Sequence, residues 1–307
     1  MSFGKDALGL TVQTCRLELT GTAQDARRVR ILETLGKAYL AQNEIEAAIS
    51  TWNEASQYTA PSRDDLKASE SWARLQVLIG QTYAQSTEVD KAENQFKKTL
   101  EKVETVSGRY SLPAGLVQDA MGAFYSLQNK PAEAETAFRR ARIVYELRLG
   151  KTSLKTLESR MNQAVGLLDM GKEQEALSQF QILADVMNPL EQFKNEPVRA
   201  EVLTFLGTLQ MRNDLLQQAS SNYKAAFEIR QNVYGPRDIR TSQSLNNLGV
   251  VLYRAGQLEA AEAALGKAYV IRADSLGATD PLTISTQKNL QAVIAAQNKA
   301  KAQQAAR

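Results

Sequence analysis

A register of small, turn-forming and large residues recurs six times along the chain, about 42 residues apart. Alanine stands twelve residues after each small residue, and a large apolar residue follows four residues later. Spacings of three and four keep such residues on one face of a helix, so each copy is predicted to be a pair of helices that must stack to bury its apolar side. The small residues are Gly36, Gly80, Gly122, Ala164, Gly207 and Gly249.

Two further positions predict where the helices of each copy end. Seven residues after the small residue stands a residue expected to close the first helix in a left-handed turn. A glycine is expected to end the second, unusually long helix at Gly150, Gly235 and Gly277, with a threonine six residues later near the next helix start. The turn residues are Asn43, Thr87, Asn129, Gly171, Asp214 and Gly256.

This pattern resembles the tetratricopeptide repeat (TPR), although its period exceeds the usual length of about 34 residues. The segment from Tyr234 to Gly249 is similar to the long repeats of kinesin light chains. The resemblance implies an all-α chain, a right-handed superhelical solenoid of six TPR helix pairs plus a C-terminal capping helix. The first copy matches at Leu35, Gly36, Tyr39, Ala48 and Trp52, the second at Ile79, Gly80, Tyr83, Ala92 and Phe96, and the third at Gly122, Tyr125, Ala134 and Phe138.

The repeat register divides the chain into three predicted segments. Residues 1–24 fit no repeat and are expected to be an N-terminal extension or cap. Residues 25–283 contain the six repeats. Residues 284–307 are expected to form the capping helix and a basic tail, since Asn289 and Leu290 continue the register without a second helix.

Composition argues against catalysis, metal binding and nucleic-acid binding. The chain has no histidine and one cysteine, Cys15, which removes the usual general base and the ligand sets of zinc sites. Gly150, Lys151 and Thr152 resemble the end of a phosphate loop, but Tyr145 replaces its first glycine. The net charge of +3 is too small for a typical nucleic-acid binder. No enzyme activity, cofactor or metal site is predicted.

No segment has the roughly 20 apolar residues that a membrane helix needs, so no membrane span is expected. The first residues lack the apolar run of a signal peptide. The expected location is the cytoplasm or a soluble organellar compartment, which leaves open a targeting sequence removed from the start.

The resemblance implies that the first helix of each pair lines a concave, partner-binding groove. Its inward positions lie three residues before the small residue and one, four and five residues after it. A second row two residues before the small residue contains asparagines, which would bind either an extended peptide or the neighbouring helix. The candidate partner-binding residues are Asn162, Arg212, Asn246, Asn247, Tyr253, Arg254, Lys288 and Asn289.

The predicted function is a non-catalytic scaffold or assembly factor that holds a partner's peptide or helix in this groove. Arg212 and Arg254 are expected to lie close together and attract an acidic group of the partner. The alternative is a regulatory peptide sensor, similar to bacterial Rap proteins, whose superhelix changes pitch on ligand binding. Rap proteins carry an extra N-terminal helical region, for which only about 24 unassigned residues remain here. The fold alone does not choose between these functions.

Overall fold

The computed structural model describes residues 2–19 and 25–305, and every regular element within them is helical. The all-α prediction is therefore confirmed for the described part of the chain. The helices are α1 Ser2–Leu19, α2 Asp25–Ala41, α3 Ile45–Gln57, α4 Leu66–Gln85, α5 Val89–Ser107, α6 Leu112–Leu127, α7 Pro131–Leu149, α8 Leu154–Asp169, α9 Glu173–Met187, α10 Pro197–Arg212, α11 Leu216–Tyr234, α12 Ile239–Arg254, α13 Leu258–Leu276 and α14 Pro281–Ala305, with a short 3-10 helix at Glu191–Phe193.

The helices form two compact units with a boundary between Gly171 and Lys172. Unit 1 contains α1 to α8, and unit 2 contains α9 to α14. Within unit 1, α2 packs on α3, α4 on α5 and α6 on α7, while α10 packs on α11 and α12 on α13 in unit 2. These five hairpins correspond to five of the six predicted pairs. The helices predicted to form the fourth pair, α8 and α9, belong to different units.

The turns that close the first helices follow the predicted register. Backbone φ is positive at all six turn positions, between +55° at Asn129 and +74° at Gly256. Thr87 adopts this conformation with φ of 66° although it is β-branched, which is rare because the Cβ atom is crowded in the left-handed region. The spacing between helices is therefore fixed strongly enough to impose an unfavourable conformation on this residue.

Each hairpin is closed by a large side chain that lies directly over the small residue of the same pair. A Cβ atom added at Gly36 would be 2.2 Å from Trp52 Nε1, and one at Gly122 would be 2.6 Å from the Phe138 ring. Trp52 is fully buried and its indole nitrogen donates to the Glu33 carbonyl oxygen at 3.2 Å. The contact that requires glycine therefore lies inside the pair.

The second helices end as predicted. Gly150, Gly235 and Gly277 have φ near +90° with extended ψ, a region that essentially only glycine adopts, and Gly108 does the same at the end of α5. Two of the three predicted threonines secure the loop between the helices, whereas the Thr283 hydroxyl has no hydrogen-bond partner in the described part of the chain. Thr156 donates to the carbonyl oxygen of Gly150 at 2.8 Å, and its counterpart in the fifth loop makes the same bond.

The predicted terminal segments are both helical where they are described. In the N-terminal segment, α1 packs on α2, and Arg16 donates to the Tyr39 hydroxyl at 2.9 Å. The capping helix α14 begins at Pro281, a residue suited to the first turn of a helix, and packs on α13. Residues 1, 20–24 and 306–307 of these predicted segments lie outside the described part.

Replacing Gly122 by valine should destabilise unit 1, because the new side chain would overlap the Phe138 ring. Overpacking of this kind costs about 1–3 kcal/mol. Gly266, also inside a helix, has open space around an added Cβ, so Gly266→Ala should stabilise unit 2 by about 0.5–1 kcal/mol. Urea unfolding measures whether each substitution raises or lowers the free energy of unfolding. Hydrogen exchange shows in which helices the protection changes. Equal destabilisation by both changes would contradict this account of the hairpin.

Candidate functional site

The face formed by the first helices of unit 2 carries seven of the eight predicted partner-binding residues. Arg212 ends α10, four residues lie on α12 between Asn246 and Arg254, and Lys288 and Asn289 lie on α14. Asn162 lies on α8 in unit 1, where it is half-buried. Seven of the predicted residues therefore belong to unit 2 and one belongs to unit 1.

The most accessible aromatic group of this face is Tyr253, whose side chain is 37% exposed. Lys288 is exposed on the next first helix, and no ion pair to it occurs within residues 25–305. Asn247 is half-buried one turn and a half before Tyr253. An aromatic ring, an ammonium group and an amide thus lie on neighbouring helices of one unit.

Arg212 and Arg254 are each paired with an acidic residue of their own unit. Arg212 bonds to Glu173 at the start of α9. Arg254 is 3.2 Å from Asp214 and also donates to the Met211 carbonyl oxygen at 2.9 Å. These contacts tie the end of α12 to the turn after α10, so the two arginines offer less positive charge to a partner than the sequence analysis expected.

The asparagines of α12 and α14 bond to each other across the stack. Asn289 donates from Nδ2 to Asn246 Oδ1 at 3.2 Å, and the Thr286 hydroxyl lies 3.3 Å from the same oxygen. The helix-linking role considered for the asparagine row is therefore present at Asn289. Asn247 has only a long contact of 3.5 Å, from Asn246.

Two buried arginines below this face were not anticipated from the sequence. Arg272 donates to the Thr286 hydroxyl at 2.6 Å, and Arg230, 42 residues earlier, donates to the Ser244 hydroxyl at 2.7 Å. Burial lowers the pKa of both guanidinium groups. The repeat register marks both arginines, because each stands seven residues after the large apolar residue of its copy, where α5 has Val103.

Residues 198–274, which include both of these arginines, match the family model of the tetratricopeptide repeat. This segment therefore consists of tetratricopeptide repeats. The repeats along the chain resemble the long repeats of kinesin light chains, as the sequence analysis proposed. The search of curated protein sequences gave no match.

Three solved structures with the same fold are distant from this chain in sequence. A putative kinesin light chain with TPR-like repeats from Podosopora anserina is 17% identical with a TM-score of 0.55, covering 66% of this chain and 96% of that one. The TPR-sensor signal-transduction ATPase of Pyrococcus horikoshii is 17% identical with a TM-score of 0.69, covering 86% and 38%. Apo RapI is 12% identical with a TM-score of 0.55, covering 91% and 90%. These similarities establish the repeat fold alone.

The described part of the chain shows no group of side chains arranged for metal binding. No cluster of three histidine, cysteine or acidic residues able to hold a metal ion occurs among the described residues. Cys15 is buried, and burial raises the pKa of its thiol, which disfavours a reactive thiolate. Among the described helices, none combines the length and apolar character needed to cross a membrane.

Unit 1 places a perturbed carboxylate on the corresponding first-helix face. Asp119 lies three residues before Gly122, an inward position of the predicted register. Burial raises its pKa to about 6, against the opposing effects of the Ser159 hydroxyl and the charge of Lys155. The Ser159 oxygen lies 3.2 Å from the Asp119 carboxylate and 3.1 Å from the Phe138 carbonyl oxygen, so one hydroxyl proton serves both acceptors.

The raised pKa of Asp119 predicts a loss of stability as the pH increases. Below pH 4 the carboxyl is protonated in the folded and unfolded states, and its full contribution to the free energy of unfolding is present. Between pH 4 and pH 6 only the unfolded state ionises readily, so that contribution is lost, on the order of 2–3 kcal/mol. Asp119→Asn should therefore gain stability relative to the parent as the pH rises from 4.5 to 7.5.

Denaturant midpoints of both proteins at these two pH values test the prediction. The chain has no histidine, so no imidazole titration overlaps the window. The control is Asp185→Asn, because Asp185 is exposed on α9. The prediction is contradicted if the difference in denaturant midpoint between the parent and Asp119→Asn stays constant with pH.

Proposed function

We propose that this protein is a non-catalytic interaction scaffold that binds a peptide or helix of a partner protein along its first helices. The main contact surface is the face of unit 2, with Tyr253 as its aromatic anchor. Asn162 occupies the corresponding face of unit 1. The other proposed contact residues of unit 2 are Arg212, Asn246, Asn247, Arg254, Lys288 and Asn289.

The observation that carries this proposal is the exposure of Tyr253 beside polar groups with unused hydrogen-bonding capacity. Asn247 makes only one long contact, and Lys288 is exposed without an acidic partner in the described part of the chain. Tyrosine and adaptable amides are favoured in the centre of protein interfaces. A peptide backbone lying across α12 and α14 could donate to and accept from these amides.

The arginines have a different role in this proposal from the one first expected. Arg254 holds the turn at Asp214, and Arg212 holds the start of α9 through Glu173. They form a fixed polar border to the surface instead of a free positive site. The first predicted repeat has fewer unpaired charged groups for a partner, because Glu33 already pairs with Lys37 at 2.8 Å and with Arg74 at 3.1 Å.

The alternative function is a regulatory peptide sensor of the Rap type. The fold similarity to RapI over 91% of this chain supports this alternative. A sensor would change the arrangement of its helices on binding a peptide, whereas a scaffold would keep it. Small-angle scattering of the free and partner-bound chain separates the two functions.

The double variant Tyr253→Ala, Lys288→Glu should weaken partner binding at least tenfold without disturbing the fold. Both side chains are exposed, and such changes usually alter stability by no more than about 0.5 kcal/mol. A pull-down with the full chain followed by mass spectrometry identifies the partner, and calorimetry with the purified partner measures the loss.

Two control variants locate the binding surface. Lys224→Glu on α11 makes the same charge reversal on a second helix, where Lys224 is exposed, and should leave binding within twofold. Arg30→Glu lies on α2 of the first repeat. Binding that survives the double variant but is lost in Arg30→Glu would move the working surface to the N-terminal repeats.

A further inference from the structure

The second helices of unit 1 border a cavity that the proposed function does not use. It has a volume of about 220 Å³ and lies between α5 and α7, over the middle of α6. Leu100, Ile143 and Val144 supply its apolar walls, and Arg109 and Arg140 supply its charge together with Glu104. The volume is close to that of one amino-acid residue rather than of a larger ligand.

The loop after α5 closes one side of this cavity and is held in place by α7. Arg148 on α7 donates from Nε to the Tyr110 carbonyl oxygen at 2.7 Å. Tyr110 lines the cavity, and its side chain is half exposed. This wall exists because the long repeat extends α5 to the glycine at position 108. A shorter second helix would leave the same space open.

The side chain of Gln118 forms the polar part of the floor and has no hydrogen-bond partner in the described structure. It is only 4% exposed. The equivalent glutamine one repeat earlier, Gln76, accepts a bond of 2.7 Å from Gln95 on its own second helix. Forty-two residues after Gln95 stands Ala137, so the partner is missing in this repeat. An amide that faces a cavity without a protein partner keeps its donors and its acceptor available to a ligand.

The two cationic groups are also available to a ligand. Neither Arg109 nor Arg140 has a carboxylate within ion-pair distance in the described part of the chain, and both are exposed at the cavity. The lining carries two guanidinium groups against the single carboxylate of Glu104. Unpaired guanidinium groups beside apolar walls favour a carboxylate attached to an apolar group, because guanidinium donors match carboxylate oxygens.

An open groove continues from the cavity along α7. A second cavity of about 340 Å³ shares Gln118 and Arg140 with the first and extends past Thr136 and Ala137 towards the start of the helix. A ligand whose end fills the enclosed cavity can therefore continue along this groove as a chain. A free amino acid would leave the groove empty.

From these observations we propose that unit 1 binds the C-terminus of a peptide between α5 and α7. Arg109 and Arg140 bind the terminal carboxylate, and Leu100, Ile143 and Val144 receive an apolar last side chain. Gln118 accepts a bond from a backbone N–H group and donates to a backbone carbonyl oxygen of the peptide. The preceding residues lie along α7. This site is separate from the first-helix face of unit 2.

Unit 2 contains the same groove with different chemistry, which provides an internal control. Its cavity of about 740 Å³ lies at positions exactly three repeats later in the register, but Leu245 replaces the glutamine and Pro236 replaces the first arginine. Lys267 remains in place of Arg140. Without the amide and the first guanidinium group, this groove lacks the means to select a carboxylate terminus.

The test uses the full chain and a hexapeptide library with five randomised positions and a C-terminal leucine. One half of the library carries a free carboxylate, and the other half is amidated. Free-carboxylate peptides should be retained, and amidation of a retained peptide should weaken its binding at least tenfold in fluorescence anisotropy. Gln118→Leu, which places the residue of unit 2 in unit 1, and Arg140→Gln should each weaken binding at least fivefold.

The controls are Lys267→Glu in unit 2 and Tyr253→Ala on the first-helix face, both of which should leave peptide binding within twofold. Circular dichroism checks that each variant folds. If Gln118→Leu misfolds, Arg140→Gln still tests the proposal, because Arg140 is exposed and its replacement should leave the fold intact. The proposal is overturned if amidated peptides bind as well as free-carboxylate peptides, or if no peptide binds at millimolar concentration. It is also overturned if free leucine displaces a bound peptide at the same concentration as unlabelled peptide does. Because Tyr253→Ala should weaken partner binding but not peptide binding, it separates a failure of this proposal from a failure of the proposed function.

Discussion

The close contact between a large side chain and a glycine inside each hairpin is the interaction on which the rest of the structure depends. At Gly36, Gly80 and Gly122 an added Cβ atom would lie within 3 Å of the aromatic ring of the paired helix. Two helices that approach this closely are fixed in both rotation and translation, because interior packing leaves no room to slide. The positions of every turn and of every exposed side chain in a repeat then follow from the register.

The lengthened second helix is the second constraint, and it produces surfaces that a shorter repeat lacks. Each long helix ends at a glycine with φ near +90°, and the loops after α5 and α11 line the gap between neighbouring second helices. The residue four positions before the hairpin glycine forms the floor of that gap. Gln76 is satisfied by Gln95, Gln118 is left without a partner, and Leu245 makes the floor apolar. One position thus sets the chemistry of each groove.

The sequence was sufficient to predict the helical pairs and the left-handed turns, because both depend on residues close together in the chain. It was not sufficient for the electrostatics of the site. The partners of Arg212 and Arg254 are Glu173 and Asp214, about 40 residues away, and no local pattern marks those pairs. The missing partner of Gln118 was predictable from the sequence, since the repeats place Ala137 at the position from which Gln95 bonds Gln76.

The interior of unit 2 is polar where unit 1 uses Val103 and Tyr145, and this difference bears on binding. A buried guanidinium group needs acceptors at fixed positions, and Arg272 finds them at Ser242, Thr286 and the Leu282 carbonyl oxygen. Thr286 in turn contacts Asn246, which accepts from Asn289 on the surface. A partner that hydrogen-bonds these amides would therefore act on a network that also orients α12 against α14. Binding at this face and the packing of the last repeat are then coupled through shared hydrogen bonds, which an apolar interior could not provide.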